Sequence, residues 1–448
     1  MNGAVSLAFL GVTLAAAAAL RIRRLPRDLL LIAASVAFVF FIAWNPIATL
    51  PFWLLVGGGF VVVTLARHAA RLAVLLALLA IVVFAWWWLR ESMLAALGLS
   101  YAMFRILHLA IDIRDDQLGH PLTLRRYLCY LTFFPGFLAG PVQRYQDFAG
   151  QLEAPPARVP GRAWKEAGRR ALRGVFKCTV LAGLAMYLHQ AAVWSVPTDA
   201  ALALAVAALA FAAWLYFAFA GYMDIVIAAG RVLGVVLPEN FDHALASRNF
   251  LDVWSRWHIT LSEWFKFYVF NPTLKAMLEA VPSPALAPWL ASAAFFLTFF
   301  LMGIWHGRTP ALILYGLVLG AGVSVNKLYQ VWLAKALGKK RHAELTSRPA
   351  YRLAAQSLAL AYFVLALTFL WPIRPDETGA GAPSMAIGAL IVLAVCAVLA
   401  LMSRVGGEQG IAWPRALVPA AIVVEAAAAA TYLWLTGGAV PDLLYQRL

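Results

Sequence analysis

Hydrophobic residues in this chain fall into long unbroken runs, without the alternating or one-sided patterns of soluble strands and helices. A helix needs about 20 apolar residues to cross the hydrocarbon core of a membrane. Runs close to that length lie at residues 4–20, 28–44, 47–65, 71–89, 93–111, 174–194, 200–236, 285–305, 311–334, 353–371, 385–403 and 414–436. Because 200–236 can hold one long helix or two, the pattern predicts about 11 to 13 membrane spans.

Three stretches depart from this pattern. Residues 127–141 are apolar but short, and they contain the helix-breaking residues Pro135, Gly136, Gly140 and Pro141. They predict a re-entrant segment, which needs surrounding protein or a cavity to satisfy its backbone. Residues 142–173 are rich in basic side chains and predict an amphipathic segment on the cytoplasmic lipid surface. Residues 247–275 mix aromatic with polar groups and predict an interfacial or re-entrant helical hairpin.

Composition restricts the class of protein. The 448 residues are 63% hydrophobic and only 13% charged, which excludes a soluble globular domain. The fold class predicted is therefore all-α and polytopic, with residues 1–448 as a single integral-membrane domain. The three cysteines lie far apart in apolar stretches, without CxxC or Cys/His spacing, so neither a disulfide framework nor a metal site is predicted.

The net charge of +15 indicates how the chain lies in the bilayer. Basic residues fall in short loops between apolar runs, which indicates topology and contact with anionic lipid, with no nucleic-acid partner. Four basic loops can all be placed in the cytoplasm, and this predicts an external N-terminus and an external C-terminus. These loops contain Arg21, Arg23, Arg24 and Arg27; Arg67 and Arg71; residues 142–173; and Lys339, Lys340, Arg341 and Arg348.

The stretch NFLDVWSRWHITLSEWF, residues 249–265, places ionisable groups among aromatic rings. Read as one helix, it begins at an Asn249 N-cap and pairs Asp252 with Arg256 at i,i+4. One broad face would then carry Trp254, Trp257, His258, Leu261 and Phe265. Ionisable groups at membrane depth are costly and indicate function. The alternative is an aromatic belt that holds a histidine at the level of the lipid headgroups.

A second histidine ends an apolar helix in FFLTFFLMGIWHGRTP, residues 295–310. Gly303 and Gly307 lie on either side of His306, so other backbone can approach closely there. A neutral imidazole, with an unperturbed pKa near 6.5, is the usual general base at neutral pH. The alternative is a helix-terminal histidine at the membrane interface.

Four motifs together resemble one family. FFPGFLAGPVQRYQDF (133–148), YFAFAGYMDIVIAAGRVLGVVLPENFD (216–242), NFLDVWSRWHITLSEWFKFYVFNP (249–272) and FLMGIWHG (300–307) occur in this order. The chain resembles the membrane-bound O-acyltransferase (MBOAT) family over about residues 95–335. It is most similar to the bacterial branch of alginate O-acetyltransferases and of the teichoic-acid D-alanylation membrane protein.

The resemblance implies a ring of helices around a central tunnel. His306 matches the family's catalytic histidine, and His258 matches the second signature position, which is His or Asn. It also implies an acyl donor entering from the cytoplasm and an acceptor hydroxyl on the other side. No cofactor is expected to be bound permanently, and the donor expected is acetyl-CoA or an acyl carrier protein thioester.

The chemistry of acyl transfer assigns roles to these residues. It needs a base, for which His306 is the candidate, and donors for the developing oxyanion. His258, the Trp305 N–H or a backbone amide near Gly303 or Gly307 could be the oxyanion donor. No Gly-x-Ser-x-Gly motif is present, which favours direct attack over a serine acyl-enzyme.

Five residues are candidates for substrate binding. Trp257 and Arg256 precede His258, and Trp305 precedes His306. Asp224 either lines the tunnel or pairs structurally with Arg231 or a neighbouring helix. Arg144 either binds a phosphate of the donor or anchors the topology.

The function predicted is acylation, most simply acetylation, of an exported polysaccharide or other cell-envelope acceptor by a multi-pass protein of the bacterial inner membrane. The lipid bilayer is an expected partner, and a periplasmic or extracellular acyltransferase is a second one. The first alternative is a proton-coupled transporter or channel with a relay of His258, His306 and Asp224. A transporter more often shows internal repeats, and none is evident here. The second alternative is a scaffold that recruits an external acyltransferase.

Overall fold

A computed structural model describes most of the chain, and the described residues are largely helical. It describes residues 3–20, 26–43, 47–69, 72–89, 98–153, 160–194, 200–307, 309–371, 382–405 and 418–436. Within these ranges the one β-type pairing is an isolated antiparallel bridge between Phe241 and Trp257. The predicted all-α class is therefore confirmed.

Each predicted apolar run overlaps a helix, and residues 200–236 contain one long helix. The α-helices in chain order are α1 (Gly3–Leu20), α2 (Arg27–Ala43), α3 (Leu50–Ala66), α4 (Leu72–Leu89), α5 (Leu99–Arg114), α6 (Leu124–Thr132), α7 (Phe134–Phe137), α8 (Tyr145–Glu153), α9 (Gly161–Phe176), α10 (Ala182–Trp194), α11 (Ala200–Val232), α12 (Phe250–Arg256), α13 (Ile259–Phe265), α14 (Asn271–Ala280), α15 (Ala287–Trp305), α16 (Pro310–Ser347), α17 (Pro349–Leu367), α18 (Ala382–Val405) and α19 (Val418–Leu435). Short π-helical turns, Lys177–Leu181 and Lys266–Phe270, follow α9 and α13.

Length and apolar composition identify the helices that can cross a membrane. Among the described residues six qualify: Gly161–Val193, Ala200–Val232, Ala287–Trp305, Pro310–Ser347, Pro349–Leu370 and Ala382–Ser403. Four further apolar helices are shorter: Ala8–Leu20, Leu50–Ala66, Val74–Trp88 and Pro419–Leu435. This set of helices is that of a polytopic membrane protein. The sidedness of the loops stays a prediction.

The helices group into two compact units. The first contains residues 1–180, 218–239 and 422–447, and the second contains residues 181–217 and 240–421. The prediction of a single domain with a motif-bearing core over about residues 95–335 is not tested by this grouping.

In the first unit, a buried arginine satisfies the broken backbone around the Phe-Pro-Gly motif. Arg105 is only 2% exposed, and its guanidinium donates to the carbonyl oxygens of Tyr130 (2.9 Å), Leu131 (3.0 Å) and Gly136 (3.1 Å). These carbonyls lie where α6 ends and the short α7 begins. Irregular backbone inside a membrane protein needs such internal partners. The predicted interruption of helix in residues 127–141 is therefore present, while its depth in the bilayer stays a prediction.

In the second unit, glycines bring α15 and α16 into backbone contact. A Cβ added to Gly303 would lie 2.1 Å from the Cα of Gly316, and one added to Gly320 would lie 2.8 Å from the carbonyl oxygen of Phe296. Small residues are what permit this close approach between membrane helices. The contact at Gly303 fixes the end of α15, where His306 follows.

Candidate active site

The motif at residues 249–265 forms two short helices, so the expectation of one continuous helix is wrong. The helix α12 ends at Arg256, Trp257 is extended, and His258 has left-handed backbone angles (φ 47°, ψ 49°) before α13 begins. The interruption has a physical cause. The Ile259 N–H donates to the Asn240 carbonyl (3.1 Å), and the Arg256 carbonyl accepts from the Asp242 N–H (2.9 Å). These antiparallel hydrogen bonds replace the i→i−4 bonds that a continuous helix would make.

The expected features at the start of α12 are confirmed. The Asn249 side chain accepts from the Asp252 N–H (3.1 Å), as an N-cap does. The Asp252 carboxylate lies 3.3 Å from Nε of Arg256. Arg256 also donates to the carbonyl of Asp242 (3.4 Å), so its guanidinium links α12 to the 240–242 segment. Whether Arg256 also contacts substrate stays a prediction.

Aromatic packing holds the interruption between α12 and α13 in place. The Trp257 ring lies 5.1 Å from that of Phe241 and 5.0 Å from that of Phe363, measured between centroids. The Trp254 ring lies 5.0 Å from Phe299 of α15. Edge-to-face contacts of this kind stabilise beyond the area they bury. The residues expected on one helical face are thus all buried, although they lie on two short helices and on the break between them.

His258 is a buried, neutral imidazole. It is 4% exposed, and its Nδ1 lies 3.3 Å from Oδ1 of Asn240. Burial, and to a smaller extent the charge of nearby His306, lower the pKa of His258 from 6.5 to about 3. His258 therefore carries no charge at neutral pH and is a weak base. This effect of His306 on the pKa of His258 indicates that the two histidines of the sequence motifs lie near each other.

His306 lies at the C-terminal end of α15 and is partly exposed, unlike His258. The backbone N–H of His306 donates to the Gly303 carbonyl (3.1 Å), which continues the helical turn. Its ring lies 4.7 Å from that of Trp305 and 5.7 Å from that of Tyr315 on α16. Trp305 is 8% exposed, so the indole packs inside while the imidazole stays accessible to a reactant. A general base needs this combination of fixed position and access.

Several buried polar atoms on the segments before and after His258 and on Asn240 are able to bind a polar group. Asn240 Nδ2, Trp254 Nε1 and Ser262 Oγ have no hydrogen-bond partner within the described part of the chain. Buried polar groups normally have partners, so such atoms are typical of a site that binds a polar reactant or water.

No metal site is formed within the described ranges. They contain no group of three or more His, Cys, Asp or Glu side chains placed to hold a metal ion. Cys129, Cys178 and Cys396 are free thiols in buried positions.

Asp224 belongs to the first unit and is fully engaged by basic side chains. Its Oδ1 lies 2.9 Å from Nε of Arg170, and its Oδ2 lies 2.7 Å from Nζ of Lys177. The expected alternative partner, Arg231, pairs instead with Glu166 at 3.4 Å. These contacts match a structural partner on a neighbouring helix. A role in binding substrate stays a prediction.

Arg144 also belongs to the first unit and is 40% exposed. Its Nη2 lies 3.6 Å from Oδ2 of Asp112, a carboxylate that is only 2% exposed. The same oxygen accepts from Nε2 of Gln146 (2.6 Å). Arg144 thus balances a buried negative charge while part of its guanidinium reaches the surface. Phosphate binding by Arg144 stays a prediction.

Asn240 is the site residue that sequence reasoning missed. It lies in the motif VLPENFD between two helices, and it is 1% exposed beside His258. One signal was available, because the polar residues Glu239, Asn240 and Asp242 directly follow a long apolar stretch. Its contact with His258 depends on the pairing of residues 240–242 with 256–259, which no local pattern indicates.

Comparison with known proteins identifies the family of this chain. The model of the MBOAT, membrane-bound O-acyltransferase family matches residues 113–368, more than half of the 448-residue chain. The chain is 28% identical over 262 residues to the teichoic acid D-alanyltransferase of Bacillus subtilis, covering 55% of this chain and 62% of that protein. It is 29% identical over 256 residues to that of Streptococcus thermophilus, covering 55% and 59%.

The names of a second group of relatives refer to a different polymer, alginate. The chain is 29% identical over 239 residues to the probable alginate O-acetylase of Pseudomonas aeruginosa, covering 52% of this chain and 43% of that protein. The chain thus spans less than two thirds of the length of each of these bacterial relatives. The family match includes both histidine motifs and most of the long apolar helices. The chain is a multi-pass membrane protein and belongs to the membrane-bound O-acyltransferase family.

Proposed function

We propose that this protein transfers an acyl group, most simply acetyl, from a cytoplasmic thioester to a hydroxyl of an exported polysaccharide or other cell-envelope acceptor. The observation that carries the proposal is the presence of a neutral, buried His258 near a partly exposed His306 that follows a glycine-packed helix. Both residues lie in the segment matched by the family model.

In the proposed reaction His306 is the general base. It takes the proton of the acceptor hydroxyl as the oxygen attacks the thioester carbonyl. The tetrahedral intermediate collapses with cleavage of the C–S bond, and the His306 imidazolium returns the proton to the leaving thiolate. Such base catalysis contributes on the order of 10²–10⁴-fold to the rate. His258 has too low a pKa to compete for the proton and acts by positioning a reactant.

The proposed donor is acetyl-CoA or an acyl carrier protein thioester, and Arg144 is proposed to bind its phosphate. The relatives support acyl transfer in general, because their names describe D-alanine transfer in one group and O-acetylation in the other. We place the protein in the bacterial inner membrane, with a periplasmic or extracellular acyltransferase as a partner.

Reconstitution in proteoliposomes separates this proposal from the two alternatives. The full chain is supplied with radiolabelled acetyl-CoA and an alginate oligosaccharide, and label transfer and thiol release are measured. An acyltransferase releases CoA thiol in step with labelled ester. A transporter relay moves protons across the bilayer without releasing thiol, and a scaffold does neither unless an external acyltransferase is added. Either of the last two outcomes would overturn the proposal. The contacts of Asp224 disfavour the relay, because two cations already hold its carboxylate.

A further inference from the structure

The side chain of Asn240 contacts both His258 and the first turn of α13. Its Oδ1 accepts from the Thr260 N–H (3.1 Å) and from the Thr260 hydroxyl (2.9 Å), and it lies 3.3 Å from Nδ1 of His258. Its own carbonyl accepts from the Ile259 N–H (3.1 Å). Asn240 is thus tied to the segment around His258 through both its backbone and its side chain.

These contacts determine which nitrogen of His258 carries the proton. A backbone N–H can only donate, so the Asn240 atom that faces the Thr260 N–H is the amide oxygen. An amide oxygen can only accept, so Nδ1 of His258 must be the donor in their contact. A neutral imidazole has one N–H, and the lone pair is then on Nε2.

We propose that Asn240 is a positioning residue that holds His258 in the Nδ1–H tautomer, so that Nε2 accepts a hydrogen bond and cannot donate one. The catalytic meaning of this inference rests on the proposed function. His258 would then orient the acceptor hydroxyl through its Nε2 lone pair. It could not stabilise an oxyanion as a neutral donor, which leaves the Trp305 N–H or a backbone amide for that role.

A purely structural role for Asn240 makes a different prediction. His258 occupies the N-cap position of α13 but its side chain makes no capping hydrogen bond, and Asn240 Oδ1 supplies that bond from another segment. Loss of a cap costs about 1 kcal/mol of stability. If capping were its only role, substitution of Asn240 would reduce stability and leave the tautomer of His258 unchanged.

The direct test is nitrogen NMR on full-length protein labelled with ¹⁵N-histidine in proteoliposomes. The signals of His258 are assigned by their loss in His258→Asn. We expect a protonated Nδ1 and an unprotonated Nε2, and an increased Nε2–H population in Asn240→Ala. An Nε2–H tautomer in the unaltered protein, or no change in Asn240→Ala, would overturn the inference. Since this measurement needs no acyl transfer, its failure is distinguishable from failure of the proposed function.

A second variant remains informative if Asn240→Ala does not fold. Asn240→Asp keeps an acceptor for Thr260 and for Nδ1, but its negative charge favours the imidazolium and raises the pKa of His258. Because protonation removes the Nε2 lone pair, the acid limb of the kcat profile should move to higher pH. Asn240→Ala should lower kcat about tenfold, the value of one net hydrogen bond, with the KM for acetyl-CoA unchanged. An unchanged pH profile in Asn240→Asp would show that Asn240 only caps α13.

Discussion

His258 combines two features that are costly for a histidine in a folded protein. Its left-handed backbone conformation costs about 1–2 kcal/mol for most residues, and its burial removes the imidazole from water. Such costs persist where the surrounding structure demands them, and they are concentrated at functional sites. Here the 240–242 segment and the Trp257 packing impose the conformation.

Substitution of His258 separates positioning from proton transfer. Asn tolerates left-handed backbone and keeps a hydrogen-bonding group, whereas Ala does neither. We expect His258→Asn to retain about tenfold more acyl transfer than His258→Ala, measured as label transfer per folded molecule. Equal inactivity of the two variants, at equal thermal stability, would instead indicate that residue 258 exchanges a proton.

Arg144 allows a test of the donor path. Charge reversal would place a carboxylate against buried Asp112, so removal of the charge by Arg144→Gln is the cleaner change. We expect this variant to raise the KM for acetyl-CoA, with a smaller effect at high salt, where attraction is already screened. Arg341→Gln is the matched control, because Arg341 is exposed in a basic stretch outside the motifs. A KM that is unchanged in Arg144→Gln would assign its charge to topology and to the pairing with Asp112.

At the scale of secondary-structure elements, the fit of α15 against α16 positions His306. The sequence indicated both helices, and the spacing of Gly316 and Gly320 on α16 is typical of close helix packing. The sequence could not indicate the interruption of the helix at Trp257 and His258. That interruption comes from hydrogen bonds to residues distant in sequence, whereas periodicity reports only local structure.

The close contact between α15 and α16 predicts that one methyl group added at Gly303 has a strong effect. Gly303→Ala places a Cβ 2.1 Å from the Gly316 Cα, so the helices must separate and His306 must move. We expect a loss of about 1–3 kcal/mol of stability, together with reduced kcat, measured by thermal unfolding in detergent and by acyl transfer. Gly57→Ala on α3 is the matched control, since nothing lies within 4 Å of its added Cβ. The same behaviour in both variants would mean that the α15–α16 contact does not position the site.

At the scale of the whole molecule, apolar runs were sufficient to indicate the helices, because membrane helices satisfy their own backbone hydrogen bonds. The sequence also indicated breaks in the helices where Pro and Gly occur together, as at Pro135 and Gly136. The partners of charged groups were not predictable in this way. Asp224 of α11 pairs with Arg170 of α9 and with Lys177 of the π-helical turn after α9, whereas Arg231, which is also on α11, pairs with Glu166. Such choices depend on tertiary packing.

Removal of the His306 imidazole tests its proposed role as the general base of an acyl transfer. The most direct test of this role is thiol release from acetyl-CoA, with label transfer to an alginate oligosaccharide, by purified His306→Ala in proteoliposomes. His68→Ala is the control, since His68 is exposed and outside the motifs. We expect a loss of about 10²–10⁴-fold in kcat for His306→Ala with unchanged thermal stability and insertion, and near-normal activity for His68→Ala. Turnover by His306→Ala equal to that of the unaltered protein would show that His306 is not the general base.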